Sequence, residues 1–399
     1  MKCCSGAAVV MHDDVLYDLA VVGAGIHGAG IAQVAAAAGY KVVLLEQYDR
    51  PALGTSCKSS KLIHGGLRYL ESAQYALVKE CLRERSILLS IAPQLVKLKL
   101  FYIPVYRSTT RRPWKIFIGL VMYSLFSKRG FHRVRKKHWS QLDGLVTDKL
   151  DAVFSYYDAQ TDDARLTRAV VKSAQTLGVA VHYNTEVVSA GQLADGISLN
   201  CHCNNTTFEF NARMVVNATG PWVDQMHTRL SRLSRFSISL VQGTHIVLPE
   251  RVSHPYYLES PGDQRAVFVL PWKGRVMVGT TETVFSGDPA AVAPTAEEVE
   301  YLLEIYNHHF NHRYTAADVI EAFAGLRVLP AGEGAAFSKS RDTVFVRDDE
   351  LAPRVVSVLG GKLTSYRSTA EKLLHDLAPH LPHRTPVADT TRLKLPLVD

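Results

Sequence analysis

The sequence predicts an α/β chain, α+β overall, in which a doubly wound parallel sheet built from separated segments is joined to an antiparallel sheet. Three observations predict it. Residues 16–49, LYDLAVVGAGIHGAGIAQVAAAAGYKVVLLEQYD, read as a buried strand, a glycine turn, an Ala-rich helix and a second buried strand. Two later stretches, ARMVVNATGPWVD (212–224) and PRVVSVLGGKLTSYRSTAEKLLHDL (353–377), repeat the step from apolar strand to glycine turn, so strands return to the first sheet from far along the chain. Between them, SISLVQGTHIVL (237–248) and RAVFVLPWKGRVMVGTTET (265–283) alternate apolar and polar residues between Gly/Pro turns, the mark of antiparallel strands.

The first unit carries Gly23-x-Gly25-x-x-Gly28 where its buried run ends, and Glu46 closes the second strand. This context makes the motif a Rossmann-like dinucleotide fingerprint. Gly23 permits the tight turn, Gly25 lets backbone approach a pyrophosphate, and Gly28 lets helix and strand pack closely. The helix N-terminus offers unpaired N–H groups to the phosphates. Glu46 can accept the ribose hydroxyls and would repel a 2′-phosphate, which disfavours NADP. The motif alone leaves FAD and NAD open. The later stretches favour FAD: one strand ends at Gly220, and the turn Gly360-Gly361 feeds a helix whose positive pole suits a flavin ring that becomes anionic on reduction. The expected division is an FAD-binding domain over 15–95, 150–225 and 330–380, a substrate or cap domain over 96–149 and 226–329, and tails at 1–14 and 381–399. Within the cap, APTAEEVEYLLEIYNHHF (293–310) reads as a helix opened by Thr295, with Glu298 three residues on.

Composition is that of a globular chain: 399 residues, 47% hydrophobic and 21% charged. The six cysteines show no framework spacing, so a reducing compartment is expected. Cys201-His202-Cys203 is read as alternating faces of a strand, and His308, His309 and His312 as a helix end, so no metal is expected. No apolar run reaches the roughly 18 residues of a spanning helix, and the N-terminus has no clear targeting pattern. Charge is concentrated: residues 107–137 hold ten Lys/Arg and no Asp or Glu, while the whole chain is only +7. With Trp114 and the run IFIGLVMYSLF (116–126) inside it, this patch suits peripheral contact with anionic lipid. No nucleic-acid module accompanies it.

Eight segments, VVGAGIHGAGIA, SSKLIHGGLRYL, DDARL, VVNATGPWVD, GTHIVLP, GTTE, GLRVLP and GGKLTSYR, span most of the chain, from Tyr17 to Leu377. Together they resemble the FAD-dependent, quinone-linked glycerol-3-phosphate dehydrogenases of the wider glycine/D-amino-acid oxidase group. SSKLIHGGLRYLE is the most specific of them. The resemblance implies oxidation of sn-glycerol 3-phosphate to dihydroxyacetone phosphate by hydride transfer to flavin N5, with electrons passed to a quinone. It also implies a peripheral place on a mitochondrial inner or bacterial-type cytoplasmic membrane. Ser59, Ser60 and Lys61 would bind the diphosphate and ribityl region, and Gly65-Gly66 would pass close to the flavin. The segment Gly360, Gly361, Lys362, Leu363 and Thr364 would hold it from the other side. Arg68, Lys362 and Arg327 would surround the substrate's phosphate and hydroxyls, assisted by Tyr69 and Thr280. His64 and His245 are both candidate bases, with Arg327 as an alternative oxyanion stabiliser.

Three departures accompany the resemblance. Glu282 stands where the family has Asp, and Val328 follows Arg327 where the family has Pro. The family's helical C-terminal domain is not expected in the remaining residues. Two other readings stay open on the residues alone: a related flavin oxidase or dehydrogenase for a 2-hydroxy acid or amino acid, whose carboxylate Arg68 and Lys362 would also suit, and a catalytically weak FAD-binding form.

Overall fold

The first strand, Val10–Val22, lies at the centre of an eight-stranded sheet, hydrogen-bonded in parallel to Thr206–Asn217 on one side and Val42–Leu45 on the other. A computed structural model describes residues 10–203, 206–230, 237–330 and 343–398; Cys3 and Cys4 lie outside them. The sheet continues outward through Ala180–His182 at one edge, and through Val355–Leu359 and the antiparallel Val344–Arg347 at the other. Its central strands are buried on both faces, as parallel strands covered by helices must be. The returning strands predicted from residues 212–224 and 353–377 are therefore adjacent, with Val215 paired to both Ala20 and Val355.

Helix Ile26–Ala37 is made almost wholly of small apolar residues because it is covered on several sides. Gln33 donates to Ser173 of helix Asp163–Thr176 at 2.8 Å, and the buried Tyr366 opens helix Tyr366–Leu377 against it. Asp162 caps Asp163–Thr176 by accepting from Arg165 N at 3.0 Å.

The second sheet has ten strands and is mainly antiparallel. Ile238–Leu248 pairs along its length with Glu321–Pro330, and at its ends with Arg275–Gly279 and Thr283–Phe285. Val96–Tyr106 and Leu150–Thr161 form a long antiparallel pair at the other side. Strand Leu150–Thr161 thus hydrogen-bonds into the second sheet, although residues from 150 onward were expected in the cofactor unit. Its residues 162–163 then open a helix that packs on the first sheet, so the crossover falls some twelve residues later than composition suggested. The described parts of the expected tails, residues 10–14 and 381–398, also belong to the body. Residues from Val10 extend the first strand, while Arg384 forms a two-bond pair with the buried Asp18 and Leu395 enters the main core.

Helix Ala296–His309 carries the capping box expected of Thr295 and Glu298. Cys201 is buried and His202 exposed on alternate faces of strand Gly196–Cys203. The apolar run 116–126 lies in helix Pro113–Ser127, which buries Ile116, Leu120 and Tyr123 on one face. Its other face leaves Trp114, Phe117, Ile118 and Leu125 exposed. No helix among the described residues is long and apolar enough to cross a membrane.

Candidate active site

A cavity of about 600 Å³ runs from the C-terminal edge of the first sheet to the inner face of the second. At its first-sheet end, the turn after Val22 passes Gly23 and Gly25 along the wall. Gly28 sits behind them: a Cβ there would lie 1.8 Å from the Gly23 carbonyl oxygen, so only glycine lets the helix approach the turn. Glu46 is buried and lines the same end, accepting from Ala24 N at 2.6 Å and Tyr48 N at 3.1 Å. Burial raises its carboxyl above the usual range, and those backbone N–H groups only partly offset this. Ser56, which the sequence reading did not single out, accepts from Ile26 N at 2.9 Å and braces the helix entrance.

Gly220, Gly360, Gly361, Leu363 and Thr364 line the cavity together with Ser59, Ser60 and His27, whose ring lies against Gly361. The Thr364 hydroxyl accepts from His64 N at 3.0 Å, fastening the two glycine-containing segments to each other. Buried polar atoms at the wall without a hydrogen-bond partner among the described residues include His27 Nδ1, His245 Nδ1 and Lys362 Nζ. A long groove with a glycine turn at a helix start, a carboxylate at one end and orphaned polar atoms along it fits a dinucleotide cofactor.

At the second-sheet end, Arg68, Tyr69, His64, His245, Thr280, Arg327 and Lys362 all face the same space. The turn Leu67–Leu70 presents Arg68 and Tyr69 because Gly66 adopts φ +74°, and a Cβ there would meet the Tyr69 ring at 2.2 Å. Lys362 Nζ lies 3.8 Å from the centre of that ring, held by the π face. Arg327 pairs with Glu282 at 2.5 Å, and Arg265 donates to the Glu282 backbone oxygen at 3.0 Å, so a third arginine, not anticipated from sequence, reaches this end. His245 is 2% exposed, stacks on Phe323 with centroids 5.1 Å apart, and shares a 2.9 Å hydrogen bond with Ser60.

Two sequence expectations are corrected by this geometry. Lys61 does not line the cavity: it is 5% exposed and its ammonium binds Asp163 at 2.7 Å and Cys57 O at 2.5 Å. Asp163 also accepts from the Ser59 hydroxyl at 2.6 Å, which turns that side chain toward the ion pair. Lysine and carboxylate so enclosed satisfy each other, so the DDARL motif supplies an internal counter-ion for the SSK segment. Gly65 does not line the cavity either. It is packed where a Cβ would meet Leu82 and the Tyr123 hydroxyl at 2.6 Å, and its N–H donates to that hydroxyl at 2.9 Å. Tyr123 in turn donates to Asp158, which pairs with Arg85. Of the two adjacent glycines, Gly66 shapes the cavity and Gly65 the support behind it.

Burial lowers the pKa of His245 to about 3, helped by the Lys61 and Arg327 cations, and that of His27 to about 4. Burial also lowers His309 to about 4; its bond to Ile305 O partly opposes this and the neighbouring His308 adds to the lowering. Each folded value lies below the unfolded value of about 6.5, so the unfolded chain takes up the proton first and stability rises with pH. The contribution is complete above about pH 6.5 and is lost as the pH falls towards the folded values. His309→Asn keeps a donor for Ile305 O without titrating. Urea unfolding between pH 6.5 and 4.5 is expected to show a shallower loss of stability in this variant, by up to roughly 1.4 kcal/mol per pH unit.

The chain's residues 18–367 match the FAD dependent oxidoreductase family. It is 40% identical to a glycerol-3-phosphate dehydrogenase of Pseudomonas aeruginosa over 96% of this chain and 75% of that protein. It is 36% identical to a D-erythritol 1-phosphate dehydrogenase of Brucella abortus over 90% of this chain and 73% of that one. The crystal structure of a glycerol-3-phosphate dehydrogenase from Bacillus halodurans complexed with FAD superposes with TM-score 0.76 at 28% identity, covering 96% of this chain and 68% of the other. With the glycine turn, Glu46 and the Gly360-Gly361 helix entrance all on one groove, the chain belongs to the FAD-dependent oxidoreductases, among the glycerol-3-phosphate dehydrogenases, and is an FAD-dependent dehydrogenase.

Proposed function

We propose that this enzyme oxidises sn-glycerol 3-phosphate to dihydroxyacetone phosphate, with the eight-stranded sheet holding the cofactor and the ten-stranded sheet covering the substrate. The observation that carries the reading is that four cations, Arg68, Lys362, Arg265 and Arg327, line the FAD groove, with Arg327 paired to Glu282 and Arg265 to Asp263. A phosphate monoester brings nearly two negative charges. Arg68 can bind two of its oxygens through a planar fork, and the dianion would give a partner to the Lys362 ammonium, which has no hydrogen-bond partner among the described residues. Tyr69 and Thr280 complete the polar wall around the hydroxyls.

FAD held along the groove would supply the two-electron acceptor for the C2 hydrogen, with a quinone as the proposed final acceptor of the electrons. The C2 hydroxyl proton needs a separate acceptor. His245 is poorly suited, because a buried imidazole between two cations resists a positive charge; it serves as a neutral hydrogen-bond partner oriented by Ser60. His64 lines the same cavity and is the proposed base, while Arg327, paired with Glu282, steadies the developing oxygen charge. His64→Asn is expected to remove the limb of the pH–rate profile that reports the base and to lower the reduction rate roughly 100-fold or more. His245→Asn keeps that limb. Stopped-flow flavin reduction from pH 5.5 to 9 checks both; a limb lost in His245→Asn and kept in His64→Asn reverses the assignment.

The acceptor would be reached from a membrane surface through residues 107–137. Helix Pro113–Ser127 exposes Trp114, Phe117, Ile118 and Leu125 beside the basic segment, in which Arg111 is held by Glu71 and Glu259, combining shallow insertion with charge attraction. Vesicles containing anionic lipid should retain the protein at low salt and release it as salt rises. Equal binding to neutral and anionic vesicles, unaffected by salt, would contradict this.

A further inference from the structure

Glu298 lies outside the cavity yet is gripped by both segments that form its second-sheet wall. The carboxylate is 5% exposed. One oxygen accepts from Gln242 Nε2 at 2.5 Å, Thr244 Oγ1 at 2.6 Å and Thr295 N at 3.3 Å. The other accepts from Thr281 Oγ1 at 2.7 Å and Thr283 Oγ1 at 2.9 Å. Burial alone would push this carboxyl up, but the hydroxyls of Thr244 and Thr281, the Gln242 amide and the Thr283 hydroxyl together outweigh it and hold it below the usual range.

Residue parity makes the arrangement functional. In an extended segment successive side chains point to opposite sides. Gln242 and Thr244 reach Glu298, so Gly243 and His245 between and after them face the cavity. Thr281 and Thr283 reach Glu298, so Thr280 and Glu282 face the cavity. Thr281 locks the two segments directly as well, its hydroxyl accepting from Thr244 N at 2.9 Å. Arg327 opposes Val241 in the adjoining strand and ends on Glu282, so its guanidinium inherits the same register. A capping box needs only the bond to Thr295; the four further donors from two other segments are not required to start a helix.

We propose that Glu298 is a positioning residue for catalysis: from behind the wall, its carboxylate sets the register that brings His245, Thr280 and the Glu282–Arg327 pair to the substrate. A glutamine at this place keeps the shape but turns one acceptor into a donor, which either opposes the Gln242 amide or makes the Thr281 and Thr283 hydroxyls reverse from donors to acceptors. Glu298→Gln and, as a gentler second variant, Thr281→Val are tested as FAD-loaded enzymes. Thr295→Ala, which weakens the helix cap alone, is the control.

Two measurements are made. Hydrogen exchange read by mass spectrometry should rise at least tenfold in residues 242–245 and 279–283 of Glu298→Gln, with strand 10–22 and helix 26–37 unchanged. Anaerobic flavin reduction by glycerol 3-phosphate should need at least tenfold more substrate for half-maximal rate, at unchanged FAD content; Thr281→Val should follow in the same direction. Thr295→Ala should lower the melting temperature and leave both readouts within twofold. The kinetic arm rests on the substrate proposed above, whereas the exchange arm does not. If wild-type flavin is not reduced by glycerol 3-phosphate, that substrate is wrong and exchange alone decides the role of Glu298. Uniformly raised exchange, or a substrate dependence equal to wild type in Glu298→Gln and Thr281→Val, would overturn the proposal.

Discussion

Lys362→Met and Arg68→Met are each expected to lower kcat/KM for glycerol 3-phosphate by about 30- to 1000-fold, roughly 2–4 kcal/mol of transition-state binding. The size follows from enclosure. Lys362 Nζ is buried, rests on the Tyr69 ring and has no hydrogen-bond partner among the described residues, so a bound dianion would supply what the protein does not. Methionine retains the apolar stem against Tyr69 and removes only the charge. FAD content should stay at the wild-type level in Arg68→Met, because Arg68 stands at the second-sheet end of the cavity. Glycerol, which lacks the phosphate, should be a very poor substrate and should lose little further in either variant. A fall in flavin occupancy and melting temperature in parallel with activity would instead assign Arg68 to bracing the fold.

Gly28→Ala is expected to give the other large effect, loss of most bound FAD. The added methyl would stand 1.8 Å from the Gly23 carbonyl oxygen and 3.3 Å from Ala218 Cβ, with no flexible side chain to yield. Relief requires the helix start to retreat from the glycine turn, which moves the backbone proposed to approach the diphosphate. Protein purified and then mixed with excess FAD should retain less than a tenth of the wild-type flavin absorbance after gel filtration. Retention of the full complement would mean that the turn can open without cost to the cofactor.

The parts legible in the sequence are those set by local pattern. A buried run followed by Gly23-x-Gly25-x-x-Gly28 can scarcely be anything but strand, turn and helix, and Thr295 with Glu298 marks a helix start by composition alone. Where a side chain goes after the backbone is placed was much less legible. Lys61 sits in a hydroxyl- and glycine-rich stretch that suggests phosphate contact, but its partner Asp163 is about a hundred residues away and nothing local announces the pair. Gly65 and Gly66 look equivalent in sequence; only the approach of Leu82 and Tyr123 from a distant helix pair separates their tasks. Glu298 shows the same limit. Its capping role is visible within four residues, whereas its grip on Gln242, Thr244, Thr281 and Thr283 exists only once two strands have been brought over the helix. Residues from 150 onward were expected in the cofactor unit, whereas strand Leu150–Thr161 pairs with Val96–Tyr106 in the second sheet, a contact that no local pattern announces.

Anaerobic addition of glycerol 3-phosphate to the FAD-loaded enzyme, with the absorbance of the oxidised flavin followed, tests the substrate assignment most directly. The structure predicts bleaching that saturates with substrate and yields one dihydroxyacetone phosphate per flavin, no comparable bleaching by glycerol, and a weaker response in Arg68→Met and Lys362→Met. A flavin that stays oxidised with glycerol 3-phosphate but bleaches with a 2-hydroxy acid or an amino acid would show that the cationic end of the cavity holds a carboxylate, and would contradict the account.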